Sequence, residues 1–263
     1  MKKILLWETM IGGLNVNPYD GLINVDPLKL YFGDPYVINK YVTIYQPTIG
    51  EIIEYGEREY YSMIQTLTAI PSEMKSSLWD SGLDWTKVED FQLFIMLSQS
   101  LSQKQTEIIL GDIDLQRMKP VENLQNGDVV LIDPITGAII DELAYKTMSA
   151  YLCKLHNLTK KVEKAGNKFT KQVLIDEDRQ KKEYAATQPY KSFLMPLVSA
   201  IKVRQAYTRD YIRNMGLYEF FDDVNRSQII VNTDSLLSGA YSGMMDTSKI
   251  KKSAFNWMRE IGE

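Results

Sequence analysis

Thr48 and Glu51 stand three residues apart at the head of a periodic apolar run, and this pairing constrains the local fold more tightly than any other feature of the chain. A threonine N-cap with a glutamate three residues on makes a capping box, in which each side chain satisfies a backbone amide at the helix start. Pro47 suits the first turn, where its missing N–H costs nothing. Ile49, Ile52, Ile53, Gly56, Tyr60, Met63, Ile64 and Leu67 then recur on one helical face, while Glu51, Glu54, Glu57, Arg58 and Glu59 fall largely elsewhere. The spacing predicts one helix over 48–68, stopped ahead of Pro71 because a residue before proline avoids helical backbone. Gly56 falls on the apolar face and costs about 1 kcal/mol against alanine in a helix interior. It reads as a tolerated glycine or as a point where another backbone comes close.

Composition narrows the class. The 263 residues allow one large or two small domains, and 44% hydrophobic content supports a real core. One Cys and one His exclude a disulfide framework and a Cys/His zinc cage within a single chain, and a reducing compartment is expected. The basic start, Met1-Lys2-Lys3, precedes only four apolar residues before Glu8. That run is short of the roughly 7–15 apolar residues of a secretory signal. No stretch approaches the 18 or so apolar residues of a membrane span, so no membrane is expected. The sequons at Asn157 and Asn225 would matter only in a secreted protein. Net charge is −4, which gives no global reason to expect nucleic acid. The charge is nonetheless polarised: residues 146–213 hold 15 Lys+Arg against 6 Asp+Glu, leaving 15 against 28 elsewhere. Such a division marks a docking face, a head-to-tail contact, or two solvated lysine-rich helices.

The pattern along the chain predicts a mainly α (α+β) protein: a helical domain with one β-hairpin and an irregular N-terminal arm. Residues 1–40 carry turn signals at Gly12-Gly13, Asn17-Pro18, Asp20-Gly21, Asp26-Pro27 and Gly33-Asp34-Pro35. They form the arm, with one short strand at most, and residues 41–263 form the helical domain, with a sub-boundary near 116–141. A brief strand is expected at 42–45 and short helices at 72–80 and 102–110. The most apolar helix, 86–101, should be central in the core, with Phe91, Leu93, Phe94, Ile95, Met96 and Leu97 covering most of its circumference. Two β-branched runs, 128–133 and 138–141, flank Pro134-Ile135-Thr136-Gly137 and predict the hairpin. Helices follow at 142–158, 168–185, 192–204, 208–215 and 217–231, and 235–245, with Gly239 and Gly243, reads as a loop. Residues 247–261 read as an amphipathic docking helix, with Ile250, Ala254, Trp257, Met258 and Ile261 on one face and Lys249, Lys251, Lys252 and Arg259 around the other. Ile250, Trp257, Met258 and Ile261 are the candidate partner-binding residues.

No residue set amounts to catalytic chemistry, and no catalytic, cofactor or metal residue is expected. Ser72-x-x-Lys75 has the spacing of the serine/lysine pair of penicillin-binding enzymes but lacks their companion elements, and Ser72 is better read as a helix start. Gly239-Ala-Tyr-Ser-Gly243 has its serine one place late for a nucleophile elbow. Cys153 and His156 fall on adjacent turns of one helix with nothing beside them to make a thiol enzyme. Asp112, Asp114, Asp133 and Asp141 fall short of a full oxygen ligand set and suit turns. Gly12-Gly13 is followed by neither the lysine nor the helix of a phosphate loop.

Several blocks together resemble a family of tail-region proteins encoded by phages and prophages of Gram-positive bacteria, many of them described as tail assembly chaperones. The blocks are residues 46–61, 74–94, 110–115, Asn126-Gly-Asp-Val-Val-Leu131, 162–167, 174–179, 239–243 and 251–263, covering most of residues 42–263. The resemblance implies a non-catalytic protein with other phage proteins as partners, the tape-measure protein or tail-tube subunits, and it allows a homo-oligomer. It implies the cytoplasm of an infected bacterium as location, or retention in the virion. That task needs exposed apolar docking surface with avidity from many copies. The 12 Met residues supply adaptable apolar surface. Two rival functions arise: a phage-encoded modulator that binds a host defence protein, and nucleic-acid binding through 146–213.

Overall fold

Side-chain caps start five of the eleven described α-helices. In the computed structural model, which describes residues 19–122, 127–243 and 245–261, Asp26 accepts the Leu28 amide ahead of α1 (Pro27–Tyr31). The expected turns at Gly12-Gly13 and Asn17-Pro18 and the basic start lie outside the described residues. A small antiparallel pair follows, β1 (Tyr36–Val37) and β2 (Thr43–Ile44), with Tyr36 opposite Ile44. The capping box closes as the sequence predicts at α2 (Ile49–Tyr55). The Thr48 amide donates to Glu51 Oε2 at 2.7 Å and the Glu51 amide to Thr48 Oγ1 at 3.2 Å. Then come α3 (Glu57–Leu67), a 3-10 turn at Pro71–Glu73, α4 (Lys75–Asp80), α5 (Asp90–Ser98) and α6 (Gln103–Leu110). Strands β3 (Lys119–Glu122), β4 (Val129–Ile132) and β5 (Ile139–Ile140) form an antiparallel sheet in the order β3-β4-β5. Helices α7 (Glu142–Leu155), α8 (Lys168–Thr187), α9 (Leu194–Gln205), α10 (Arg209–Asn214) and α11 (Leu217–Tyr241) complete a mainly α structure with two small sheets.

The predicted helix 48–68 is two helices. Gly56 takes φ +100° and ψ 113°, backbone that side-chain-bearing residues rarely adopt, and it ends α2 and starts α3. The kink aims Ile49 and Ile52 of α2, and Tyr60, Met63, Ile64 and Leu67 of α3, into the core, while Ile53 stays half exposed. Close backbone approach occurs at Gly50, where an added Cβ would sit 2.8 Å from the Arg213 carbonyl oxygen. Pro47 lies ahead of the N-cap, outside the first turn, and its carbonyl accepts the Leu217 amide at 3.0 Å. The α2 and α11 starts are thereby tied together.

Other corrections follow from packing. The helix expected over 86–101 spans only Asp90–Ser98, and Met96 is 42% exposed. The central helix is α7, in which Tyr145, Met148, Tyr151, Leu152 and Leu155 are fully buried within the main apolar cluster. The hairpin gains a third strand, because Lys119–Glu122 pairs along β4 from Lys119 opposite Ile132 to Glu122 opposite Val129. The segment read as a loop at 235–245 is helical to Tyr241. Gly239 sits inside α11 where a Cβ would collide with the Met245 side chain, and Gly243, at φ +69°, lies just past its end. The C-terminal docking helix does not form. Residues 247–261 instead make two 3-10 turns, Thr247–Lys249 and Lys252–Phe255, followed by further turns.

Candidate interaction surface

The last part of the chain is built inside out. Gly216 opens α11, and Leu217, Phe220 and Phe221 anchor its first turns in the main core, with Val224 packed at its margin. Beyond Val224, no described residue joins either apolar cluster. The side chains buried there are polar, Ser227 and Thr233. Ser227 accepts from Gln205 Nε2 of α9 at 2.9 Å. Thr233 donates to the Ala254 carbonyl at 3.2 Å and accepts from Arg259 Nη1 at 3.1 Å.

Two guanidinium groups hold the C-terminal segment against α11. Arg226 Nη1 donates to the carbonyls of Trp257 and Arg259, at 3.0 and 2.7 Å. Arg259 Nη1 donates to the carbonyls of Ala254 and Asn256, each at 3.1 Å. These carbonyls are claimed by arginines rather than by amides four residues on. A helix of this length is marginal on its own, so the side-chain clamp prevails. The tail therefore docks through its backbone and leaves its large apolar side chains outward.

Of the four candidate partner-binding residues, three share this outward stretch: Trp257 is 50% exposed, Met258 66% and Ile261 40%. Ile250 is half-buried on the preceding turn. On α11 itself, Tyr241 is almost fully exposed, and Ile229, Ile230, Leu236 and Leu237 are only half-buried. Sequence reasoning passed over these α11 residues. The signal was present in composition: residues 227–241 contain a single charge, Asp234, in fifteen positions. A surface helix is ordinarily charged on its solvent face.

Part of the polarised charge is answered inside the chain. Lys160 pairs with Glu73, Lys171 with Asp84, Arg179 with Asp80 and Arg213 with Glu54, each at 2.7 Å. Hydrogen bonds from Lys171 and Thr86 hold the Asp84 carboxyl down at about 2. The basic segment is thus folded onto acidic groups of residues 54–84.

The residues weighed for chemistry have structural roles. His156 is fully buried at the C-cap of α7. Its Nδ1–H donates to the Leu152 carbonyl at 2.7 Å and its Nε2 accepts from the Tyr60 hydroxyl at 2.6 Å, and burial lowers its pKa to about 4. Cys153 is buried as a thiol in the same helix. Lys75 Nζ meets the Ser72 carbonyl at 2.5 Å and Glu163 Oε2 at 2.6 Å, while the Ser72 hydroxyl accepts the Glu163 amide at 3.0 Å. The two side chains of the Ser-x-x-Lys motif therefore pin the 156–167 segment. Asp133 receives Arg117 through both oxygens, at 2.8 and 2.6 Å, and caps the β4–β5 turn through the Ile135 amide and the Thr136 hydroxyl. Asp141 caps α7. Asp114 accepts the Gln116 amide within a turn.

Among the described residues no three His, Cys, Asp or Glu side chains are grouped to hold a metal ion. A shallow cleft of about 360 Å³ is lined by Thr48, Gly50, Glu51, Glu54, Asp210, Arg213 and Asn214. It opens broadly to solvent and holds no arrangement of acid, base and nucleophile. No described helix is long and apolar enough to cross a membrane. No family model, curated protein or solved structure matches the chain.

Proposed function

We propose that the chain is a non-catalytic protein–protein binding component of a phage tail-assembly system, a tail assembly chaperone or a tail structural protein. Tape-measure or tail-tube subunits would be its partners in the cytoplasm of an infected bacterium. One observation carries the binding reading. The C-terminal unit buries polar side chains and presents Tyr241, Trp257, Met258 and Ile261 to solvent. Exposed aromatic and methionine side chains of this kind are the usual anchors of protein interfaces. The phage setting rests on the sequence resemblance.

The test is affinity capture of the full chain from infected cells, with mass spectrometry, beside the Trp257→Ser/Met258→Ser double variant. Recovery of tape-measure or tail-tube subunits by the parent, lost with the variant, supports the reading. Recovery of a host defence protein in their place favours the modulator function, and recovery of neither removes the tail role. The nucleic-acid alternative is weakened by the ion pairs that occupy Lys160, Lys171, Arg179 and Arg213. It requires an affinity that falls steeply with salt.

A further inference from the structure

Helix α8 is turned round relative to an ordinary amphipathic helix. Of its 20 residues only Ile175 is buried. Phe169, Val173 and Tyr184 share one face by their i, i+4, i+15 spacing, and that face looks outward: they are 79%, 38% and 68% exposed. The inward face around Ile175 is ionic. Lys171 Nζ reaches both oxygens of Asp84, at 2.9 and 2.7 Å. Asp178 accepts the amide and hydroxyl of Ser76, at 2.9 and 2.6 Å. Arg179 donates to Asp80 at 2.7 Å, and Lys182 to the hydroxyls of Ser76 and Ser77, each at 3.1 Å. All of these partners lie on α4 or in the loop that follows it.

Beneath this polar seam is a second apolar cluster, Ala69, Leu78, Trp85, Leu93 and Ile175, separate from the main core. Irregular chain joins α8 at both ends, residues 157–167 and 188–193. The helix therefore rests on Ile175, with Leu174 packed beside it, and on four charged side chains, between two irregular segments.

We propose that α8 is an ionic strap that lifts from α4 as a unit while the main core stays folded, with opening favoured by salt and with Leu78, Trp85 and Leu93 uncovered when it lifts. The physical basis is a difference in kind between the two seams. Partly exposed charge contacts weaken as the screening length shortens from about 10 Å at 0.1 M salt to about 3 Å at 1 M. The apolar packing around α7 does not depend on such contacts. Local opening of this kind belongs to segments with few buried apolar contacts.

Hydrogen exchange of the full chain, read by mass spectrometry at about 0.05 M and about 0.5 M NaCl, tests this. Amides of α8 should exchange roughly fourfold faster at the higher salt, as the two ion pairs Lys171–Asp84 and Arg179–Asp80, each weakened about twofold, would give together. Amides of α7 should not change. Unchanged α8 rates, or equal acceleration of α7, overturns the proposal. Two variants separate the ionic seam from the apolar one. Lys171→Gln/Arg179→Gln should open α8 at low salt and lose the salt response, and Ile175→Ala should open it and keep the response. A full salt response in the first variant also overturns the strap.

Discussion

His156 gives the sharpest quantitative test of the fold, because it is the only imidazole in the chain. Its ring is fully buried between the Tyr60 hydroxyl and the Leu152 carbonyl, and its pKa falls from 6.5 to about 4. Below pH 6.5 the unfolded chain takes up the proton while the fold still holds the ring neutral. Stability is therefore lost as pH falls from about 6.5 to about 4, and this group adds no slope outside that window. At about 1.4 kcal/mol per pKa unit, the loss reaches about 2 kcal/mol by pH 5 and about 3 kcal/mol across the window. Urea unfolding at pH 8 and pH 5, followed by circular dichroism, measures it for the parent and for His156→Gln. The variant should be weaker at pH 8 by about 1–3 kcal/mol, since the Tyr60 hydroxyl loses its partner. Its further loss between pH 8 and 5 should be smaller than the parent's by about 2 kcal/mol. Burial raises the pKa of Asp222, Asp223 and Glu219, an effect opposite in sign that is common to both proteins and cancels in the comparison. Identical pH dependence in the two proteins, or an imidazole resonance titrating at pH 6 or above, would refute the buried-neutral assignment.

Four further outcomes are expected. Gly50→Ala should destabilise by about 1–2 kcal/mol despite alanine's better helix propensity, because the new Cβ meets the rigid Arg213 carbonyl at 2.8 Å. Gly56→Ala should cost about 1–2 kcal/mol, mainly through its positive φ, since the only close contact of a new Cβ is the flexible Glu59 carboxylate at 2.7 Å. Thermal unfolding of the two variants compares them, and a Gly50→Ala protein more stable than the parent would contradict the packing. Asp133→Ala should cost about 2–3 kcal/mol in denaturant titration, since it strips Arg117 of two charge-assisted bonds and uncaps the β4–β5 turn. A loss below about 0.5 kcal/mol would leave Asp133 without the role given to it. Trp257→Ser and Met258→Ser, at largely exposed positions, should each shift stability by less than about 0.5 kcal/mol. A larger loss would mean that these side chains serve the fold instead of an interface.

Much of the helix layout was legible because it is written in local chemistry. Thr48 with Glu51, Ser102 with Gln105, Asp141 and Thr208 each satisfy amides within three residues of themselves. Their effect is therefore readable without knowledge of distant neighbours. The misreadings share the opposite character. Gly56 and Gly239 have the same side chain, yet one breaks a helix and the other lies within one, since only the elements packed against them decide. The third strand at Lys119–Glu122 contains Pro120 and two charged residues, so no strand pattern announces it. It forms because β4 offers it a free edge.

The candidate interface shows the same division. Local pattern alone shows that residues 247–261 carry Trp257, Met258 and Ile261 with nowhere obvious to bury them. It also determined the helical class, through caps and periodicity that act over a turn or less. It took the packed fold to hold the terminal segment by Arg226 and Arg259 through backbone carbonyls rather than as a helix. The packed fold also pairs four residues of the basic stretch with Glu54, Glu73, Asp80 and Asp84. Those partners lie some 90 to 160 residues away in sequence, at Glu73 and Asp84 on one side and Glu54 on the other. Ion pairs and guanidinium clamps join residues that local pattern never brings together, because their energy depends on distance in space and not on distance along the chain.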